Sequence, residues 1–307
     1  MLHLTVGRNG EDYYTIQEAL DAVPYEVEAE IVISQGVYEE KLFSDKRRLS
    51  MRGEGDVTIR WSDGAKTIMP DGIKRGTFRT YTAFFSGEEL HLENLRIENN
   101  AGLGRDVGQA LALYLDVDRA FLDDVDLYGH QDTLFLAPLP EKEREKRGFY
   151  GPRCFLPRKL NRVLYRGGSI CGGVDFIFGG ADALFDGVRI ISNEPGYVSA
   201  PSGGRDDIGF VFHRCSFEND GLEDGSVYLM RPWRPEGKGA FLSCSYGSHI
   251  HPDGFIPWNG LEDEASLASF RTDGDSFPPI YHVDGKESLA LLNDFCTAIG
   301  IARPQGI

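Results

Sequence analysis

Two carboxylates, Asp132 and Asp175, lie in apolar and aromatic surroundings rather than in a solvated run of charge. The first is in Gly129-His130-Gln131-Asp132-Thr133-Leu134-Phe135 and the second in Val174-Asp175-Phe176-Ile177-Phe178-Gly179. A buried Asp flanked by Phe and Ile is costly unless something pairs with it. Arg231, in Leu229-Met230-Arg231-Pro232-Trp233, is a candidate partner beside an aromatic platform. Two acids in unlike settings, one held by a cation, can divide acid and base work between them.

The elements that position these residues are short. Thr15-Ile16-Gln17-Glu18 is a capping-box pattern and predicts a helix from Ile16 to about Val23, ended by Pro24. Ile31-Val32-Ile33-Ser34 then reads as strand, with a turn to follow. Beyond it a six-residue frame recurs: apolar, any, small or polar, any, polar, apolar. Copies start at Leu92, Leu122, Tyr165, Phe185, Phe212 and Phe241. Strands with a bend and a return every 20 to 43 residues suggest an all-β solenoid whose rungs bury their side chains by stacking. A right-handed parallel β-helix fits this best; a β-sandwich also supplies short strands and turns.

The longest gap in the series holds residues 136–161, read as a basic insertion in a single domain spanning 1–307. Between 141 and 162 there are eight basic and three acidic residues. Such a segment, directly after a candidate acid, is expected either to wall a cleft or to form a solvated surface helix. Arg153, Arg158 and Lys159 are the cations expected to meet an anionic substrate. Lys286 to Ile301 reads as a terminal helix, with Leu289, Leu292 and Cys296 on one face, able to cover a solenoid end.

Composition narrows the class. The chain has 307 residues, 37 Gly, 19 Phe and 13 Tyr, a mixture suited to strands and tight turns. A net charge of −16 argues against nucleic acid or an acidic membrane as main partner. No stretch approaches the ~20 apolar residues of a membrane span. Five irregularly spaced cysteines make neither a disulfide framework nor a zinc pattern, so free thiols in a reducing compartment are expected. Met1-Leu2-His3-Leu4 does not start a leader, which favours the cytoplasm unless a leader has been removed.

Gly36-Val37-Tyr38-Glu39-Glu40, Gln109-Ala110-Leu111-Ala112-Leu113, Gln131-Asp132-Thr133-Leu134, Asp175-Phe176-Ile177-Phe178-Gly179 and Arg231-Pro232-Trp233 follow one another in the order found in pectin methylesterases. From about Leu4 to Trp258 the chain resembles that family. The resemblance implies a right-handed parallel β-helix and hydrolysis of galacturonate methyl esters in pectin or methylated oligogalacturonides, with no metal or cofactor. It implies that Asp175 is the nucleophile, Asp132 the general acid and later base, and that Gln109 and Gln131 form an oxyanion hole. Arg231 would pair with Asp175. Trp233, Trp258, Phe176, Phe178 and Thr77 would contact substrate, and the protein would be a monomer. Three positions depart from the pattern: His130 replaces a common Tyr, Met230 a usual Gly and Phe255 a frequent Trp. Met230 is expected to crowd the cleft floor.

The chemistry is coherent on its own terms. A carboxylate attacks only while ionised, so a guanidinium beside Asp175 is expected to hold its pKa down and fix its direction. Asp132 must instead keep a proton to donate, which a drier and less cationic setting provides. Each residue also has a plainer use: the aspartates as turn caps, the glutamines as a stacked amide ladder, the tryptophans as core. His249-Ile250-His251 has the spacing of a metal pair but no third ligand. Two other classes remain open: a non-catalytic sugar-binding β-helix, and a polysaccharide lyase or hydrolase on the same fold.

Overall fold

The computed structural model describes residues 1–258, 270–273, 276–278 and 282–300. The protein is all-β, with nineteen strands and few helices among the described residues. Every strand-to-strand ladder is parallel, and they form three columns. The first runs in register Leu4, Ile31, Met51, Leu92, Leu122, Tyr165, Phe185, Phe212, Phe241, Thr272. The second runs Tyr38, Ile59, Ile97, Leu127, Ile170, Ile190, Phe217, Tyr246. The third runs Leu42, Ala83, Leu113, Leu134, Ile177, Ser199, Met230 and, by a single bridge, Phe255. Nearly all these side chains are buried and belong to one core. Within it the rings of Phe185, Phe212 and Phe241 stack at 4.6 and 4.7 Å between centroids.

The six-residue frame is the corner between the first and second columns. Its first residue lies in one, its sixth in the other. The third residue of all six copies, Asn94, Asp124, Gly167, Gly187, Arg214 and Ser243, has φ between 49° and 67°. A left-handed residue turns the chain sharply, and Asn, Asp and Gly tolerate that conformation best. The preference for a small or polar third residue therefore has a backbone cause. Asn94 reinforces its corner by donating from Nδ2 to the Gly53 carbonyl at 2.9 Å.

The helices differ from expectation only in detail. Thr15 and Glu18 form the capping box of the Ile16–Ala22 helix, with Val23 as its C-cap. The terminal helix is Gly285–Ile299; Ile301 lies outside the described residues. Among the described residues it covers no end of the stack. Leu292 and Phe295 pack on Leu164, Leu184, Val211 and Ala240, the outward side chains of the first column, so the helix lies along its flank. Residues 137–161 contain no helix, and their charges alternate along turns and bends. Cys154, Cys171, Cys215 and Cys244 are in no disulfide, and Cys171, Cys215 and Cys296 are buried.

Candidate active site

The outward face of the third column is a ladder of rings. Phe43, Phe84, Tyr114, Phe135 and Phe178 occupy successive register positions, followed by the small Ala200. Neighbouring ring centroids lie 4.8 to 4.9 Å apart. Phe78, in the short helix Thr77–Arg79, packs its edge on Phe135 at 4.8 Å. The end of the ladder, Phe178 and Ala200, opens into a cleft also lined by Thr77, Gln109, Gln131, Asp132, Asp175, Arg231, Trp233 and Trp258. Arg144, Glu145 and Phe149, from the insertion, form one wall.

Consecutive coils present the polar groups. The Ala110 amide donates to the Gln131 carbonyl at 3.0 Å, and the Asp132 amide donates to the Val174 carbonyl at 3.0 Å. Gln109, Gln131–Asp132 and Asp175 thus sit on three adjacent rungs. Both aspartates have positive φ, 64° at Asp132 and 49° at Asp175. The ladder between residues 172 and 177 shifts register twice, a bulge that aims Asp175 into the cleft.

Arg231 holds Asp175 with two parallel bonds, Nε to Oδ1 at 2.8 Å and Nη2 to Oδ2 at 2.5 Å. Its guanidinium lies 3.7 Å from the Tyr197 ring centroid and 4.1 Å from that of Trp258. Such packing fixes the plane of the fork, and with it the carboxylate. Burial works against the Arg231 cation, but its bonds to Asp175 more than offset that and raise its pKa.

The two acids are both shifted upward. Burial pushes Asp132 well above the usual carboxylate range, the Asp175 charge adds to this, and Arg231 opposes it only from a distance. Burial also raises Asp175, and this corrects the expectation that Arg231 brings it below its ordinary value. The guanidinium limits the rise rather than reversing it, because the site is dry. The bonded cation belongs to Asp175 alone, so Asp175 is the first of the two to ionise.

Other expectations are also corrected. Phe176 lies wholly in the core instead of the cleft, because the bulge turns it inward together with Ile177. Met230 does not crowd the floor. Its side chain is buried, and a methyl group placed on Gly239 would come within 2.6 Å of its sulfur. Arg153, Arg158 and Lys159 do not line the cleft. They pair with Asp116, Glu141 and Glu88. Sequence reasoning missed Arg144, Phe149 and Tyr197, and it missed Gly104. A Cβ on Gly104 would stand 2.6 Å from Gln131 Oε1, so the glycine makes room for that amide.

This set of groups, on this scaffold, has relatives. A sequence profile of the Pectinesterase family matches residues 3–150 and 155–272. The chain belongs to the pectinesterase family. Pectinesterase 31 of Arabidopsis thaliana is 30% identical over 272 residues, covering 85% of this chain and 78% of that protein. A probable pectinesterase/pectinesterase inhibitor 23 of the same plant is 29% identical over 267 residues, 81% of this chain but 42% of its own length. The chain thus spans less than half of that relative. A crystal structure of a pectin methylesterase in complex with a hexasaccharide shares the fold, with a TM-score of 0.77 at 23% identity, covering 100% of this chain and 99% of the other.

Proposed function

We propose that this pectinesterase removes methyl esters from homogalacturonan, or from methylated oligogalacturonides, with Asp175 as nucleophile and Asp132 as general acid and base. The observation that carries the reading is the two-bonded Arg231–Asp175 clamp beside a second buried acid in one cleft. Ionised Asp175 attacks the ester carbonyl carbon. The developing oxyanion is met by the side-chain amides of Gln109 and Gln131, which donate without titrating. Protonated Asp132 gives its proton to the departing methoxide, and methanol leaves an anhydride between Asp175 and the galacturonate. Water then attacks the anhydride while Asp132 takes a proton from it. Asp175 is restored, and a galacturonate carboxylate and one proton are released.

Thr77, Phe178, Trp233 and Trp258 serve as the substrate-contacting surface in this reading. The Trp258 ring also carries the Arg231 and Arg144 guanidiniums, so its first task is to hold cations in place. The three stacked parallel columns support a right-handed parallel β-helix, formed by one domain of residues 1–307 with the insertion at about 136–161. The protein acts as a monomer on a saccharide, without nucleic acid or membrane partners. Incubation with methylated pectin tests the reaction: methanol is released with no shortening of the chain. New reducing or unsaturated ends without methanol would defeat it in favour of a hydrolase or lyase.

A further inference from the structure

We infer that His130, Asn193 and Glu194 are positioning residues, a strap that crosses one whole coil to hold the turn carrying Gln131 and Asp132. The inference rests on the reading of the site given above and names what keeps its amide and its acid in place.

Leu134, Ile177 and Ser199 share a register on three successive coils. Neighbouring coils lie about 4.8 Å apart, so a side chain ordinarily reaches only the next one. Two side chains of the third coil reach the first. Glu194 Oε1 lies 2.7 Å from His130 Nδ1, and Asn193 Nδ2 donates to the Gly129 carbonyl at 2.9 Å. A carboxylate only accepts, so His130 Nδ1 carries the proton of that bond. The register explains the reach. Gly172 faces Ser192 and Val174 faces Tyr197, so Gly173 alone is opposed by the four residues 193–196. The bulge lifts Asn193 and Glu194 out of the ladder. The coil between makes room with a glycine: a Cβ on Gly173 would stand 2.6 Å from Glu194 Cβ.

The strap lands on the residues that precede Gln131. The same turn is tied to the middle coil by its backbone. The Gly129 amide donates to the Cys171 carbonyl at 3.1 Å, the Gly173 amide to the His130 carbonyl at 2.8 Å, and the Asp132 amide to the Val174 carbonyl at 3.0 Å. The His130 ring also meets the Tyr128 ring edge to face, 6.0 Å between centroids, so it is held from a second side. The His130 and Glu194 side chains are 17% and 23% exposed, which shields their bond from water. None of the three strap residues lines the cleft, so their effect passes through the turn and not through contact with substrate. His130 is also one of the positions at which the chain departs from the family pattern, and Glu194 gives that departure a use.

Two measurements test the strap. In the first, Glu194→Ala is expected to lower kcat for methanol release about tenfold, with KM within about twofold of wild type. Glu194→Gln, whose amide oxygen still accepts from His130, should recover most of the loss. His130→Phe should match Glu194→Ala, and the double variant should be no slower than either. In the second, amide hydrogen exchange is followed by mass spectrometry. It should quicken over residues 129–134 in Glu194→Ala, while residues 83–93 keep their wild-type protection. Unchanged kcat, a loss confined to KM, or losses that multiply in the double variant would overturn the inference, as would unchanged exchange over the turn. Failure of wild type to release methanol would defeat the esterase reading, while exchange would still decide the strap.

Discussion

Among the described residues several buried aspartates pair with arginine, and the difference between two of these clusters bears on what makes a carboxylate reactive. On the first column, Asp186 accepts from Arg214 Nε and Nη2 at 2.9 to 3.1 Å and bonds His213 Nδ1 at 2.8 Å. Burial works to raise its pKa, but His213 and Arg214 outweigh it and hold it below the ordinary value. That carboxylate is saturated and placid. In the cleft, Asp175 has a single bonded cation, a left-handed backbone and a second acid on the next coil, and its pKa is raised. An Asp–Arg pair alone therefore does not mark a site. What distinguishes Asp175 is incomplete compensation, as expected of the proposed nucleophile.

Matched substitutions test that contrast hardest. Asp175→Asn is expected to lower methanol release by about 10⁴-fold or more while oligosaccharide binding persists. Asp186→Asn, equally isosteric, should leave kcat/KM near wild type but lower unfolding stability by about 1–3 kcal/mol in denaturant melts. If Asp186→Asn abolished turnover with stability intact, the two clusters would not differ in the way described. Next in size is the proposed oxyanion hole. Gln131→Ala should reduce kcat about 10²- to 10³-fold. Gly104→Ala should reproduce part of that loss, because its methyl group displaces the Gln131 amide without removing it. Unaltered kcat in Gly104→Ala would show that Gln131 needs no such fixed position.

Much of this was legible in the chain, for identifiable reasons. The six-residue frame is readable because a left-handed corner restricts its third residue and two columns demand apolar ends. Asp132, Asp175 and Arg231 stand out in sequence as charged residues in apolar and aromatic surroundings, whereas Gln109 and Gln131 are picked out only by the family resemblance. The facing of Phe176 was not, since a bulge breaks the alternation on which any such reading depends. Met230 was misread for a related cause: its direction is set by the space above Gly239, a distant contact. Arg144 was hidden in a run of alternating charge, where no period tells a paired cation from an unpaired one. Tyr197 carries no motif, and only the fold brings it to Arg231.

The smallest expected effect concerns stability rather than rate. Asp132 has its folded-state pKa raised by burial and by Asp175, so the native protein holds a proton that the unfolded chain would release. Where the native state binds more protons, stability falls as pH rises. The loss runs from the ordinary carboxylate value, near 4, up to the folded-state value, and stability is fully present below that window. Asp132→Asn removes the titration while keeping the shape. It should therefore melt close to wild type at acid pH and gain stability, on the order of 1 kcal/mol, as pH rises above the ordinary carboxylate range, even though it has lost the proposed general acid. The same variant should lose turnover, which places activity and stability in opposition at one atom group. A gain that did not vary with pH, or a variant less stable than wild type at neutral pH, would mean that Asp132 is compensated as fully as Asp186.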